Sequence, residues 1–316
     1  MSRTVSESER FTALVSGDPG ALARAISNVE RHTAAGHGTL EAIQPHLGRA
    51  RVIGVTGVPG AGKSTLISRY VRALRSAGRR VGVIAVDPSS PFSGGAVLGD
   101  RIRMAEHASD DGVFVRSLAS RGHAGGLAPT ATHVVDLMDA AGWDRIIIET
   151  VGTGQGEVDI ADAADVRVVV CAPGLGDDVQ ALKSGILEIA DVLVVNKADL
   201  VGGDTTASQL EAMLALRAQE SRDVGVCKTT ATTGDGVAEL AEIIEARLAT
   251  NDARRTHSPQ RMRRLLATAT GNLLTRKLRE VDDTWLMEIC GMLQRGQLDL
   301  DSAAQRVLCS GKVSDE

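Results

Sequence analysis

The sequence predicts an α/β protein with a mostly parallel sheet, and three observations carry that reading. From Arg51 to about Thr250, short Val/Ile-rich runs alternate with helical segments. The runs are apolar on both faces, the pattern of strands covered by helices on each side. A Gly-rich phosphate-binding pattern stands where the first strand passes into the first helix of this region.

The strands are read, in order, as "RVIGVTG", "RVGVIAVD", "DRIIIET", "DVRVVVCA", "DVLVVNKAD" and "DVGVCKT". Ahead of them, residues 1–49 read as a helical extension. Apolar residues of "ALARAISNVERH" and "TLEAIQPHL" recur at three and four positions, with Gly36 and Gly38 as breaks. Residues 50–250 form the central domain, and 251–316 turn helical again. In this last part "RMRRLLATATGNLLTRKLRE" and "TWLMEICGML" read as a dimerisation arm, with Arg261, Arg263 and Arg264 on a solvated face.

Composition narrows the function. Among 316 residues, 35 Lys and Arg against 40 Asp and Glu leave a net charge of −5, which gives no electrostatic case for nucleic acid or an anionic membrane surface. Cys171, Cys227, Cys290 and Cys309 are far apart and form no C-x-x-C pair, so reduced thiols are expected rather than a disulfide framework or a zinc knuckle. The start, "MSRTVSESERF", has no apolar targeting core, and no apolar run is long enough to span a bilayer. A soluble, cytoplasmic protein is expected.

The chemistry begins at "GVPGAGKST", which fits G-x-x-x-x-G-K-[ST]. Gly57, Gly60, Ala61 and Gly62 form a loop whose N–H groups can wrap a β-phosphate. Lys63 bridges β- and γ-phosphates, the Ser64 hydroxyl binds magnesium, and Thr65 caps the same turn. The base is chosen further on. "VLVVNKAD" supplies the N-K-x-D pattern as Asn196, Lys197 and Asp199. The Asp199 carboxylate can accept from guanine N1–H and its 2-amino group, which adenine does not offer in that arrangement, and the Lys197 stem would lie along the base plane. After the last strand, Thr230 and Ala231 resemble the Ser-Ala loop that backs the base in GTPases. GTP and GDP are therefore the nucleotides expected.

Three carboxylates complete the site. Asp87 and Glu149 end their strands and project from the carboxyl edge of the sheet, with Asp100 between them in a Gly/Ser/Pro-rich loop. Such carboxylates suit magnesium, directly or through its waters; Asp100 can equally serve as a helix N-cap. In many small GTPases the frame after the third carboxylate reads Asp-x-x-Gly-Gln, with the Gln orienting the attacking water. Here the same frame gives Glu149, Gly152 and Thr153. The protein alone should hydrolyse GTP slowly, although Gln155 and Glu157 offer other polar groups.

"VTGVPGAGKSTL", "VIAVDPSSPFSGGAVLGDRIRM", "IIIETVGTGQGEVDIADAADV", "APGLGDDVQALKSGILEIAD" and "VVNKADL", in this order, resemble the MeaB/ArgK family of GTPases, partners of adenosylcobalamin-dependent acyl-CoA mutases. The match runs from about Leu22 into the C-terminal helices. It implies a P-loop GTPase of the SIMIBI type, a homodimer, and GTP hydrolysis that controls loading, protection or exchange of the cobalamin on the mutase. It also implies that Lys63 and Ser64 serve phosphate and magnesium, that Asp87, Asp100 and Glu149 lie at the magnesium and γ-phosphate, and that Asn196, Lys197 and Asp199 hold guanine. The loop from Pro173 to Gly185 corresponds to a family switch, with Asp177, Asp178, Gln180 and Lys183 able to form or release polar contacts. Its plainer reading is a loop and helix start with Asp177 or Asp178 as N-cap.

The chain departs from the family pattern at Gly156, where a Ser is usual, at Ser184 in the switch loop, and within "GQLDLDSAA", where Asp-Pro-Tyr is common. These departures bear on which mutase is served. Two other classes share parts of the pattern. A nickel-insertion GTPase should carry a Cys/His cluster, which the scattered His and Cys do not supply. A kinase of a transport component would need an acceptor site, and N-K-x-D favours GTP over ATP.

Overall fold

The computed structural model describes residues 6–87, 105–119, 130–150, 163–174, 189–215 and 224–255, and then 263, 266–267, 270–271, 273–275, 277–278 and 284–310. The chain divides into two compact units, Met1–Thr256 and His257–Glu316.

The first unit opens with three helices, α1 (Glu7–Val15), α2 (Pro19–Glu30) and α3 (Ala34–Ala42). Each starts at a residue suited to it. Ser6 and Glu9 form a reciprocal capping box, while Asp18 and Thr33 accept from Ala21 N and Gly36 N. The sequence reading places helix breaks at Gly36 and Gly38; the structure corrects this, because α3 runs through both and the break lies at His32, in the left-handed region with φ 52°. Gly36 is there for contact. A Cβ on it would stand 2.7 Å from the Asn28 carbonyl oxygen, so the missing side chain lets α3 lie against the end of α2.

The sheet follows: β1 (Arg51–Gly57), β2 (Val81–Asp87), β3 (Val113–Ala119), β4 (Arg145–Glu149), β5 (Val166–Cys171), β6 (Val192–Val195) and β7 (Gly225–Lys228). Its order is β3-β2-β4-β1-β5-β6-β7, with every pairing parallel. The helices of this region are α4 (Lys63–Ser76), α5 (Ala131–Ala140), α6 (Gly203–Ala215) and α7 (Val237–Arg255). This is an α/β fold of the SIMIBI P-loop type. One strand, β3, is absent from the sequence reading. Arg116 and Ser117 interrupt its apolar run, and Arg116 turns out to α2, bonding Glu30 and Ser27.

Alternation along the strands sorts the core into faces. Val52, Ile84, Ile146 and Ile148 pack with Leu22, Ile26 and Val29 of α2 and with Val134, Leu137 and Met138 of α5. Ile53, Val55, Val83 and Ile147 pack on the other face with α4 and α7. The N-terminal helices thus cover one face of the sheet. Completely burying a Leu or Ile is worth about 1.5–3 kcal/mol, so the removal of Leu22 and Ile26 from water ties α2 firmly to the sheet.

Register is fixed at the amino edge by aspartates. Asp144 accepts from Arg80 N at 2.7 Å, Asp165 from Val52 N at 2.9 Å and Asp191 from Arg167 N at 2.9 Å, each bond reaching the strand next door. Asp139, at the end of α5, accepts from the N–H groups of Gly48, Arg49 and Ala50 at 2.5, 3.0 and 2.8 Å and so sets where β1 begins. One turn earlier, burial and the Asp139 charge push the Asp136 carboxyl up to about 6.

The second unit contains α8 (Thr284–Gln294) and α9 (Leu300–Cys309), the latter capped by Asp299 through Ser302 N. Its core is Ile289, Ala303 and Val307, with Trp285, Leu293 and Leu298 packed around it. Arg263 is exposed, while Arg261 and Arg264 lie outside the described residues. Among the described residues no helix is long and apolar enough to cross a membrane.

Two predictions follow from the packing of this fold. Gly36→Ala, driven into the Asn28 backbone, should destabilise by about 1–3 kcal/mol. Gly38→Ala, with nothing within 4 Å, should stabilise by about 0.5–1 kcal/mol; thermal melts of the two variants should shift in opposite directions. Asp136 holds its proton more tightly folded than unfolded, so its contribution to stability falls as pH rises from 3.8 to about 6. Asp136→Asn should therefore raise stability at pH 7 by about 1–3 kcal/mol, a gain that shrinks below pH 6 and vanishes near pH 4 in pH-dependent unfolding.

Candidate nucleotide site

A parallel sheet delivers the carboxyl ends of all its strands to one edge, and the described residues of the expected site lie there. The loop between β1 and α4 is shaped by glycine. Gly57 has φ 131°, and a Cβ there would overlap the Val170 carbonyl of β5. Gly62 is the N-cap of α4 at φ 86°, with no side-chain cap bond, which leaves the first N–H groups of the helix to face an anion. Thr65 does not cap this turn, contrary to the sequence reading. It is the third residue of α4 and is exposed, and a side-chain cap here would compete with phosphate oxygens for the same donors.

Lys63 is 8% exposed, and its ammonium donates to the carbonyls of Gly57 at 2.7 Å and Val58 at 3.1 Å. This places a buried positive charge over the loop. The Ser64 hydroxyl donates to Glu149 Oε1 at 2.7 Å. Glu149 ends β4, level with Val55 of β1 and Ala85 of β2, and Asp87 closes β2 two residues further along. The next residue, Thr150, is tied to β1 through Val55 O at 3.1 Å and Thr56 Oγ1 at 2.9 Å, which fixes the height of Glu149. A hydroxyl bonded to a carboxylate at a strand end fits magnesium, a hard ion that takes few protein oxygens and keeps water or phosphate for the rest. Asp100 lies outside the described residues, as do Gly152, Thr153, Gln155, Glu157, Asp177, Asp178, Gln180 and Lys183.

On the base side, Asn196 is 1% exposed and binds two loops at once. Its Nδ2 donates to Ala61 O of the phosphate loop at 2.8 Å, and its Oδ1 accepts from Thr229 Oγ1 and Ala231 N at 3.1 Å each. Lys197, at φ 57°, lays its stem across the phosphate loop and donates to Gly60 O at 2.8 Å. Asp199 is exposed beside it. Thr230 and Ala231 are buried in a loop closed by the Thr230 N to Asp235 O bond.

Sequence reasoning missed three contributors. Thr229 supports Asn196, and Thr56 supports Thr150; both sit beside motif residues without belonging to the motif. Arg69 of α4 donates to Ala231 O and Thr232 O, with no sequence pattern to announce it. Ser68 of the same helix meets Glu106 and His107 of the short turn Ala105–His107, yet this is no hydrolytic triad. The Ser68 hydroxyl donates to Glu106, and His107 Nε2 lies 3.1 Å from the Ser68 carbonyl, which can only accept, so that nitrogen carries its proton. The Ser68 bond and the neighbouring Arg72 lower the Glu106 carboxyl below its ordinary range.

Comparison with known proteins agrees with this geometry. The model of the family described as methylmalonyl-CoA mutase-associated GTPase MeaB matches residues 22–282. A protein of Pyrococcus horikoshii named as a GTPase is 43% identical over 313 residues, 95% of this chain and 96% of its own. The GTPase ArgK of Escherichia coli is 44% identical over 200 residues, 62% of this chain and 60% of its own. Among solved structures, a LAO/AO transport system kinase superposes with TM-score 0.70 at 25% identity, covering 97% of this chain and 98% of that one.

The site separates a structural residue from a selective one. Asn196→Ala strands a buried carbonyl, hydroxyl and N–H and should cost about 2–4 kcal/mol of stability. Asp199→Ala should leave the melting temperature unchanged while abolishing the preference for GDP over ADP in equilibrium binding.

Proposed function

The chain belongs to the MeaB family of GTPases, and from that premise we propose that it is a slow, magnesium-dependent GTPase that gates loading, protection or exchange of adenosylcobalamin on an acyl-CoA mutase. The observation that carries the nucleotide part is Asn196 bonded to Ala61 and Ala231 with Asp199 exposed beside it, which joins a phosphate loop to a base loop suited to guanine. The family description, which names methylmalonyl-CoA mutase, supports the mutase part.

On this reading Lys63 exchanges its two loop carbonyls for β- and γ-phosphate oxygens, a transfer of few ångströms for a charge already buried. The helix N-terminus at Gly62 adds N–H donors to the same phosphates. Ser64, Asp87, Asp100 and Glu149 would hold magnesium, which when bound neutralises charge developing on the phosphates. Orienting the attacking water is the remaining requirement, and the frame that begins at Glu149 carries Gly152 and Thr153 where other switches carry Gln. Low turnover by the isolated protein follows.

The mutase then supplies the missing order by engaging the loop from Pro173 to Gly185, with Asp177, Asp178, Gln180 and Lys183 as its polar contacts. Homodimerisation through the second unit is part of the proposal. Leu266, Leu273, Met287, Leu300 and Leu308 are 46–73% exposed there, apolar surface that a second copy could cover. The nucleotides are GTP and GDP, and the expected location is the cytoplasm.

The test is GTP hydrolysis by the purified protein, alone and with saturating amounts of each adenosylcobalamin-dependent acyl-CoA mutase of the source organism. Turnover should be slow alone and should rise at least about tenfold with one mutase, the scale of a partner that completes charge neutralisation. An unchanged rate with every mutase would remove the mutase part and leave the GTPase.

A further inference from the structure

Arg69 stands in the second turn of α4, half-buried, on the helix that begins with Lys63. Its guanidinium spends two donors on backbone carbonyls of the loop after β7: Nε on Ala231 at 3.1 Å and Nη2 on Thr232 at 2.7 Å. Ala231 is thereby held through both of its backbone polar groups, its N–H by Asn196 and its carbonyl by Arg69. Asn196 in turn holds Ala61 of the phosphate loop. The contacts close a ring that runs from Ala61 to Asn196, Ala231, Arg69 and back through α4. Such a ring ties the helix that presents the phosphate donors to the loop that backs the base.

We propose that Arg69 is a positioning residue for guanine: it holds the loop of Thr230 to Thr232 at the level of Asn196 and Asp199, so that binding of the base depends on the phosphate-binding helix. The inference rests on the guanine reading above. Without Arg69 the loop keeps its Thr229 end tied to Asn196 and Val195, its internal bonds among Thr230, Thr233, Gly234 and Asp235, and a single bond, Ala231 N to Asn196, as the anchor of its tip. It can pivot about that anchor, and the base must then supply the ordering that Arg69 supplies in advance. The phosphate half does not share this loss, because Lys63 is held by the Gly57 and Val58 carbonyls and Ala61 by Asn196, bonds in which Arg69 takes no part. Lysine cannot replace the function in full, since its single ammonium lacks the planar fork that reaches two successive carbonyls.

The experiment is calorimetric binding of GDP, ADP and inorganic pyrophosphate, with magnesium present, to the full chain and to its Arg69→Ala and Arg69→Lys variants. Arg69→Ala should weaken GDP about tenfold, on the scale of one lost charge-assisted hydrogen bond, and leave pyrophosphate within about twofold. Arg69→Lys should fall between the parent and Arg69→Ala for GDP. Unchanged GDP affinity, or equal weakening of GDP and pyrophosphate, overturns the proposal. Equal weakening would make Arg69 a support of the whole domain instead. A parent protein that binds GDP no better than ADP overturns the guanine reading and this inference with it, and that outcome is read without any variant. If Arg69→Ala fails to fold, Arg69→Lys decides: a loss selective for GDP upholds the role, and none refutes it.

Discussion

Asn196 reaches from the end of β6 to the phosphate loop on one side and to the loop after β7 on the other, and the nucleotide site depends on that span. A parallel sheet brings its carboxyl ends to one edge, but it does not link the loops that leave them. Each loop is free to drift unless a side chain crosses between strands. An amide does this with one donor and one acceptor fixed in a plane, and at 1% exposure neither group has water as an alternative partner. Aspartate in its place would offer no donor to Ala61, which explains why Asn stands at the buried position and Asp at the exposed one three residues later.

The opposite edge solves a different problem with the complementary residue. Parallel strands start at separate points in the chain, and side chains alternate between faces, so a slip of one residue would exchange the two cores and withdraw Glu149 from Ser64. Asp144, Asp165 and Asp191 each take the N–H at or next to the start of an adjacent strand. Carboxylates suit that edge because the N–H groups there have no strand partner, just as the N-terminus of a helix lacks one. Asp139 extends the device to three successive N–H groups ahead of β1. Burial, with the charge of Asp139, pushes the nearby Asp136 carboxyl up to about 6.

What could be read from the sequence follows from how local each requirement is. The phosphate loop was legible because Gly57 and Gly62 answer to backbone conformations and close approaches that only glycine meets, and because Lys63 and Ser64 begin the helix that follows. The N-K-x-D residues were legible for a similar reason, with strand and loop in one short run. Gly36 misled because a glycine that admits a neighbouring helix and one that ends a helix look alike until the neighbour is in place. The strand β3 was hidden by Arg116, whose partner Glu30 lies in the N-terminal helices. Arg69 left no trace, since an arginine on a helix surface has the same pattern whether it meets water or two carbonyls more than 160 positions away.

The described part of the site is largely preassembled, and that bears on where control must act. Lys63, Ser64 and Glu149 hold protein partners that a ligand would replace, and Asn196 keeps the two loops in place throughout, so binding needs little reorganisation. On the proposed reading the Asn196 framework, the β-phosphate contact of Lys63 and the N–H groups at Gly62 serve groups that GDP and GTP share. They give affinity without distinguishing the two states of a switch. Discrimination between the two would then come from groups that answer to the γ-phosphate. A partner that acts on such groups alters hydrolysis without disturbing how the nucleotide is held, which suits the slow, partner-stimulated GTPase proposed above.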